Sequence, residues 1–147
     1  MKKIRFIGLL CVLLLAPVAL SAQVQKMLGE WVTVDDNTGE QKAVVTIYRE
    51  SDGLYYGKIS QLLIGDPTWT CTPCKGEDYK KPIVGLVIIR GLSYNKDKDY
   101  LEGGKVLDPE SGKFYYGKIF LKNGQLVLRG SLDKRGFLGR NQTWVRK

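Results

Sequence analysis

The chain has 147 residues, a formal charge of +8 and no histidine. The missing imidazole excludes Ser-His-Asp and Cys-His catalysis and removes the commonest metal ligand. Three cysteines without histidine leave a tetrahedral zinc site dependent on carboxylates or a second subunit. The chain opens as an export signal: Lys2, Lys3 and Arg5 precede an apolar run from Phe6 to Leu20, broken only by Gly8 and Pro17. The small-residue site Ala19-Leu20-Ser21-Ala22-Gln23 follows. Cleavage after Ser21 and after Ala22 both fit, so the leader is taken as residues 1–22 and the domain as 23–147, placing the protein in the periplasm or outside the cell. A retained anchor is the alternative, but the run is short for a spanning helix. Cys11 lies within the run behind Leu10, unlike a lipoprotein cysteine. Without the leader the formal charge is +5, with all 15 carboxylates retained. Export argues against nucleic acid as a partner and leaves anionic surfaces or ligands for the surplus charge.

Behind the leader come short β-like runs punctuated by Gly, Asp and Asn. Trp31-Val32-Thr33-Val34 runs into the turn cluster Asp35 to Gly39, and the β-branched run Ala43 to Tyr48 ends at Ser51-Asp52-Gly53. Leu54 to Leu63 is a third run. The stretch Gly65 to Pro82 is the longest break in the pattern. It holds both cysteines of the domain. Ile83 to Ile89 is almost wholly apolar and predicts a strand shielded on both faces. Tyr100 to Leu107, Lys113 to Lys122, Gln125 to Leu132 and Phe137 to Arg146 complete the set, and Asn123-Gly124 is the cleanest hairpin turn. No amphipathic stretch is long enough for a helix. Eight runs joined by short turns predict an all-β fold, an antiparallel up-and-down barrel of about eight strands, with a β-sandwich as the alternative.

Gly29-Glu30-Trp31 at the head of the first strand and an arginine on the last resemble the calycin superfamily, which includes the lipocalins. That resemblance implies a tryptophan plugging one barrel end with an arginine across it. Trp31, Trp144, Arg140 and Arg146 are the residues at issue, and both arginines qualify. The ordered set of Gly29-Glu30-Trp31, the phrase Asp52 to Ile59, the Cys71/Cys74 pair, the run Gly85 to Leu92, the segment Gly103 to Lys113 and the ending Gly139 to Trp144 is similar to the domain of unknown function 2147 family of exported bacterial proteins. The resemblance covers essentially the whole mature chain. It implies a secreted calycin-like domain and brings no activity, cofactor or ligand with it.

Cys71-Thr72-Pro73-Cys74 looks superficially like a redox motif, yet no βαβ pattern surrounds it and Pro82 stops any helix. In an oxidising compartment the expectation is a structural disulfide contributing about 2 kcal/mol. A thiol-disulfide redox pair is the alternative. The phrases Leu54-Tyr55-Tyr56-Gly57-Lys58-Ile59 and Phe114-Tyr115-Tyr116-Gly117-Lys118-Ile119 raise a second question. Strand alternation lets either Tyr56, Lys58, Tyr116 and Lys118 face inward, as a site for a ligand with an acidic head and apolar body, or Tyr55, Gly57 and Ile59. Trp69 is the candidate rim of a pocket. Asp35, Asp36, Asp52 and Asp108 sit in turns, where aspartate bonds its own backbone. The functional expectation is a non-catalytic module for a small amphipathic or lipid-like ligand, with no metal or cofactor. An envelope interaction module touching a membrane or a protein partner is the second class.

Overall fold

A computed structural model describes residues 22–147; the expected leader, apart from Ala22, lies outside the described residues. Eight antiparallel strands pair in chain order and close into a barrel: β1 (Gly29–Val34), β2 (Gln41–Arg49), β3 (Tyr55–Leu62), β4 (Val87–Asn95), β5 (Tyr100–Asp108), β6 (Lys113–Lys122), β7 (Gln125–Ser131) and β8 (Gly139–Arg146). Closure comes from β1 against β8, with Trp31 opposite Arg146 and Val32 opposite Val145. That pairing rules out the sandwich and leaves no free sheet edge.

Alternation along the strands builds the core. Ala43, Val45 and Ile47 of β2, Tyr55 and Ile59 of β3, Leu101 and Val106 of β5 and Leu126 and Leu128 of β7 join one buried cluster. The twin phrases follow the same logic. Tyr55, Gly57 and Ile59 are buried, whereas Tyr56 is half-buried and Lys58 exposed. In β6, Gly117 and Ile119 are buried. A Cβ at Gly57 would lie 2.7 Å from Ile89 Cδ1, and one at Gly117 2.6 Å from Val106 Cγ2. Each glycine therefore admits a branched side chain of the neighbouring strand, which is why both phrases carry it. Since β3 and β6 run in opposite directions, the shared phrase reflects a shared packing solution and not two superposable halves.

Three of the differences from the sequence reading bear on packing. A six-residue helix, α1 (Ala22–Met27), precedes β1, and its Val24 and Met27 are fully buried in the core cluster. It is too short to show a helical period of its own. The apolar run from Ile83 is not all strand: Gly85 takes φ +96°, the Ile83 amide bonds the Trp69 carbonyl at 2.9 Å, and β4 starts only at Val87. Continuous apolarity there does not mean an extended strand: Ile83 and Val84 are half-buried, Gly85 is exposed and Leu86 is buried. Phe137 and Leu138 lie outside β8, because the Asp133 carboxylate takes both of their amides.

An up-and-down barrel gathers alternate connections at one end. The β2–β3, β4–β5 and β6–β7 turns share one end with α1 and the C-terminus. The β1–β2, β3–β4, β5–β6 and β7–β8 connections surround the other.

Candidate functional site: a cavity with one plugged end

The first end is plugged. Trp31, 1% exposed, donates from Nε1 to the Met27 carbonyl at 2.9 Å, which ties the indole to the end of α1. Arg146 lies over the Trp31 ring, 3.8 Å from its centroid. The guanidinium also donates to the carbonyls of Leu28, at 2.8 Å, and Lys26. The last carbonyls of a helix lack intrahelical partners, so a cation there satisfies them and completes the plug. Of the two candidate arginines, Arg146 is the one on Trp31.

The other end is open. An open cavity of about 1560 Å³ lies at this mouth. Its floor rests on Val45, Ile59, Ile88, Val106, Leu128 and Trp144, members of the packed core cluster and each at most 7% exposed. Trp144 lies four residues deeper than Arg140 along β8, and its Nε1 reaches Gln142 Oε1 at 3.4 Å. Arg140, considered above for the plug, instead lines the mouth with Lys113. Neither cation forms an ion pair within the described residues. Lys42, also at the mouth, is fully engaged: its Nζ lies 2.9 Å from Asp35 Oδ2 and 3.0 Å from Glu110 Oε1. Hydrogen bonds from Lys42 and from the Asn37 and Thr38 amides lower the Asp35 pKa to about 2. The mouth therefore keeps two cations outside ion pairs above an apolar floor, together with Asp36 and Asp108, which are likewise outside ion pairs among the described residues.

The cysteine loop forms one side of this mouth. Cys71 and Cys74 are joined as a disulfide, with Cα atoms 5.4 Å apart, and both are buried. Cys71 Sγ lies 3.5 Å from the Pro109 carbonyl oxygen. The Pro73 carbonyl occupies the space where a Cβ on Gly112 would stand, at 2.0 Å. The loop is thereby seated on the β5–β6 turn. A second anchor is Asp78, buried, which accepts from Arg90 Nη2 at 2.9 Å. The Arg90 hydrogen bond holds the Asp78 carboxyl below its usual range against the opposing effect of burial. Between these anchors Trp69, 55% exposed, covers Gly65 and lines the cavity.

Tyr56, Lys58, Tyr116 and Lys118 lie on the outer wall, and none of them lines the cavity. Tyr56 donates to Asp52 Oδ2 at 2.7 Å and stacks on Tyr48. Lys58 Nζ stands over Tyr48. Tyr116 lies under Lys105 Nζ, and Lys118 pairs with Glu102 at 3.5 Å. Of the two faces the sequence allowed, the one with Tyr55, Gly57 and Ile59 is inside, so Tyr56, Lys58, Tyr116 and Lys118 do not form a ligand site within the barrel: inward lysines would lose hydration without a counterion, and the glycines take the inner positions instead. Asp35, Asp52 and Asp108 each accept a backbone amide two residues on, as turn aspartates do. Sequence reasoning did not single out Lys42 or Lys113. The signal was topological: in a meander, connections 1–2, 3–4, 5–6 and 7–8 must meet at one end. Among the described residues, no group of three or more His, Cys, Asp or Glu side chains is placed to hold a metal ion.

A closed eight-strand antiparallel barrel, plugged by a tryptophan and an arginine at one end and open at the other, is a lipocalin-like fold. The chain belongs to the bacterial family described as "Uncharacterized protein conserved in bacteria (DUF2147)", whose model matches residues 29–146. Among solved structures it is similar to protein HP1028 from the human pathogen Helicobacter pylori, described as belonging to the lipocalin family. The TM-score is 0.70 with 23% identity over 82% of each chain, a likeness of fold. No curated protein matches the chain.

Proposed function

We propose that this is an exported, non-catalytic binding module that holds a small amphipathic molecule, its apolar body in the barrel and an acidic end at Lys113 and Arg140. The observation that carries the reading is the cavity. At about 1560 Å³ it exceeds the roughly 300–1,000 Å³ of ordinary ligand pockets, its floor is apolar, and its mouth carries the unpaired Lys113 and Arg140 among the carboxylates Asp35, Asp36, Asp108 and Glu110. An acidic ligand would supply the counterions that the two mouth cations lack. Export belongs to the same reading: residues 1–22 have the composition of a leader.

Native mass spectrometry of protein purified from its own periplasm tests the proposal. A retained small molecule, released on denaturation, is the expected result. A bare mass, together with no uptake of fluorescent fatty acids or their neutral analogues, overturns it. Thiol-disulfide exchange has less support, because both cysteines are buried against the β5–β6 turn, away from an attacking thiolate.

A further inference from the structure

The β7–β8 connection, Leu132 to Leu138, presents apolar side chains to water while being tightly fixed. Phe137 is 76%, Leu132 70% and Leu138 66% exposed. These are the most exposed large apolar side chains among the described residues. Looseness does not account for them. Both Asp133 carboxylate oxygens accept backbone amides, from Phe137 at 3.0 Å and Leu138 at 2.6 Å. Arg129 Nε and Nη2 donate to the Gly136 carbonyl at 2.7 Å and the Phe137 carbonyl at 3.2 Å. Ser131 Oγ donates to the Asp133 carbonyl at 2.9 Å. These bonds shape the loop so that Phe137 points away from the barrel, and none of them buries it.

Charge identifies what such a loop fits. Asp133 spends its carboxylate inward, which leaves Lys134 and Arg135, without ion pairs among the described residues, beside Phe137. Both cations also line a groove on the outer wall with Lys98, Lys118 and Arg129. Glu102 is the one carboxylate lining that groove, and Lys118 already pairs with it. An aromatic and two leucines flanked by free cations suit the boundary of an anionic bilayer. There apolar groups sink among headgroups and ammonium or guanidinium groups meet phosphate. Position supports this occupant over a folded protein partner. Leu132 and Leu138 also line the cavity mouth, and the exposed Trp69 lines it from the cysteine loop.

We propose that the β7–β8 loop docks the protein on an anionic phospholipid surface, with Phe137 and Leu138 entering the headgroup layer, Lys134 and Arg135 on lipid phosphates, and the cavity mouth facing the bilayer. This goes beyond ligand binding and has a separate readout. Phe137→Ser and the pair Lys134→Glu/Arg135→Glu are informative variants, since none of these residues lines the cavity. The purified protein and both variants are sedimented with vesicles of phosphatidylglycerol and phosphatidylethanolamine, and with phosphatidylcholine vesicles. The expected result is binding to anionic vesicles that weakens as salt rises, about tenfold weaker for each variant, with unchanged melting temperature. Any contribution from residues 1–21 is common to all three proteins and cancels. Absence of binding to anionic vesicles overturns the proposal, as does equal binding by the parent and both variants. Equal binding to phosphatidylcholine overturns the electrostatic half. Cross-linking from position 137 to an envelope protein in cells, without vesicle binding, would assign the loop to a protein partner instead.

Discussion

Arg146 covers Trp31 across the junction of the first and last strands, 3.8 Å from the ring centroid. The contact joins strand pairing, the end of α1 and the barrel plug in a single side chain. Arg146→Ala removes the ring contact and two hydrogen bonds to carbonyls, so a loss of about 2 kcal/mol is expected in urea unfolding. Arg146→Lys should recover less than half of it, because an ammonium lacks the planar fork that meets both carbonyls over the ring. A lysine variant as stable as the parent would reduce the plug to a matter of charge.

The inward glycines give a second prediction. Gly57→Ala places a Cβ 2.7 Å from Ile89 Cδ1, and Gly117→Ala places one 2.6 Å from Val106 Cγ2. Each should destabilise by about 1–3 kcal/mol through overpacking. Because the clash in the first case is with the end of a side chain, Ile89→Val combined with Gly57→Ala should recover part of the loss. Additive effects in that double-mutant cycle would disprove the packing account.

Binding specificity should reside at the mouth. Arg140→Glu is expected to weaken a carboxylate-bearing fluorescent probe about tenfold or more while leaving its alcohol analogue unaffected, and Lys113→Glu should act in the same direction. Tyr56→Phe and Lys118→Ala lie on the outer wall and should change neither affinity. Parallel losses for both probes would point to a disturbed mouth and not to charge recognition.

Acid should release the cysteine loop before it opens the barrel. The Asp78 carboxyl is depressed chiefly by its hydrogen bond from Arg90. A depressed folded value means that the contribution is complete above the unfolded pKa of about 3.9 and fades as pH falls through the folded one. Trp69 fluorescence should therefore change as pH falls below about 4, with Asp35 protonating around pH 2. Asp78→Asn should flatten the Asp78 part of that change and expose the loop to proteases at neutral pH. An identical acid profile in the variant would remove Asp78 from the account.

Reducing the disulfide should have the same local signature. Cleavage within residues 65–82 and a loss of about 2 kcal/mol are expected, since the bond closes only a short ring. A faster reduction of model disulfides by the parent than by Cys71→Ser would reopen the redox reading.

Much of the fold was legible because it depends on local alternation. The run Lys113 to Lys122 matches β6 end to end, and Asn123-Gly124, both with positive φ at 51° and 75°, turn it into β7 as that dipeptide predicts. Where an apolar run carried no alternation the sequence was ambiguous. Ile83 to Leu86 and Phe137-Leu138 are apolar for different reasons: the first segment closes a loop against the core, and the second faces water. The inner face of the twin phrases could not be chosen from period alone. A one-residue shift exchanges every side chain, and only contacts with Ile89 and Val106 reveal why glycine belongs inside.

By itself, then, the amino-acid order determined an all-β domain of about eight strands, the absence of imidazole chemistry and the turn duties of its aspartates, because these depend on neighbours along the chain. The tertiary structure alone decided that Arg146 plugs the barrel while Arg140 and Lys113 stand unpaired at its mouth. It also decided that the cysteine loop and the β7–β8 loop face each other across that mouth. These are relations between segments far apart in sequence, and barrel closure is the physical step that brings them together.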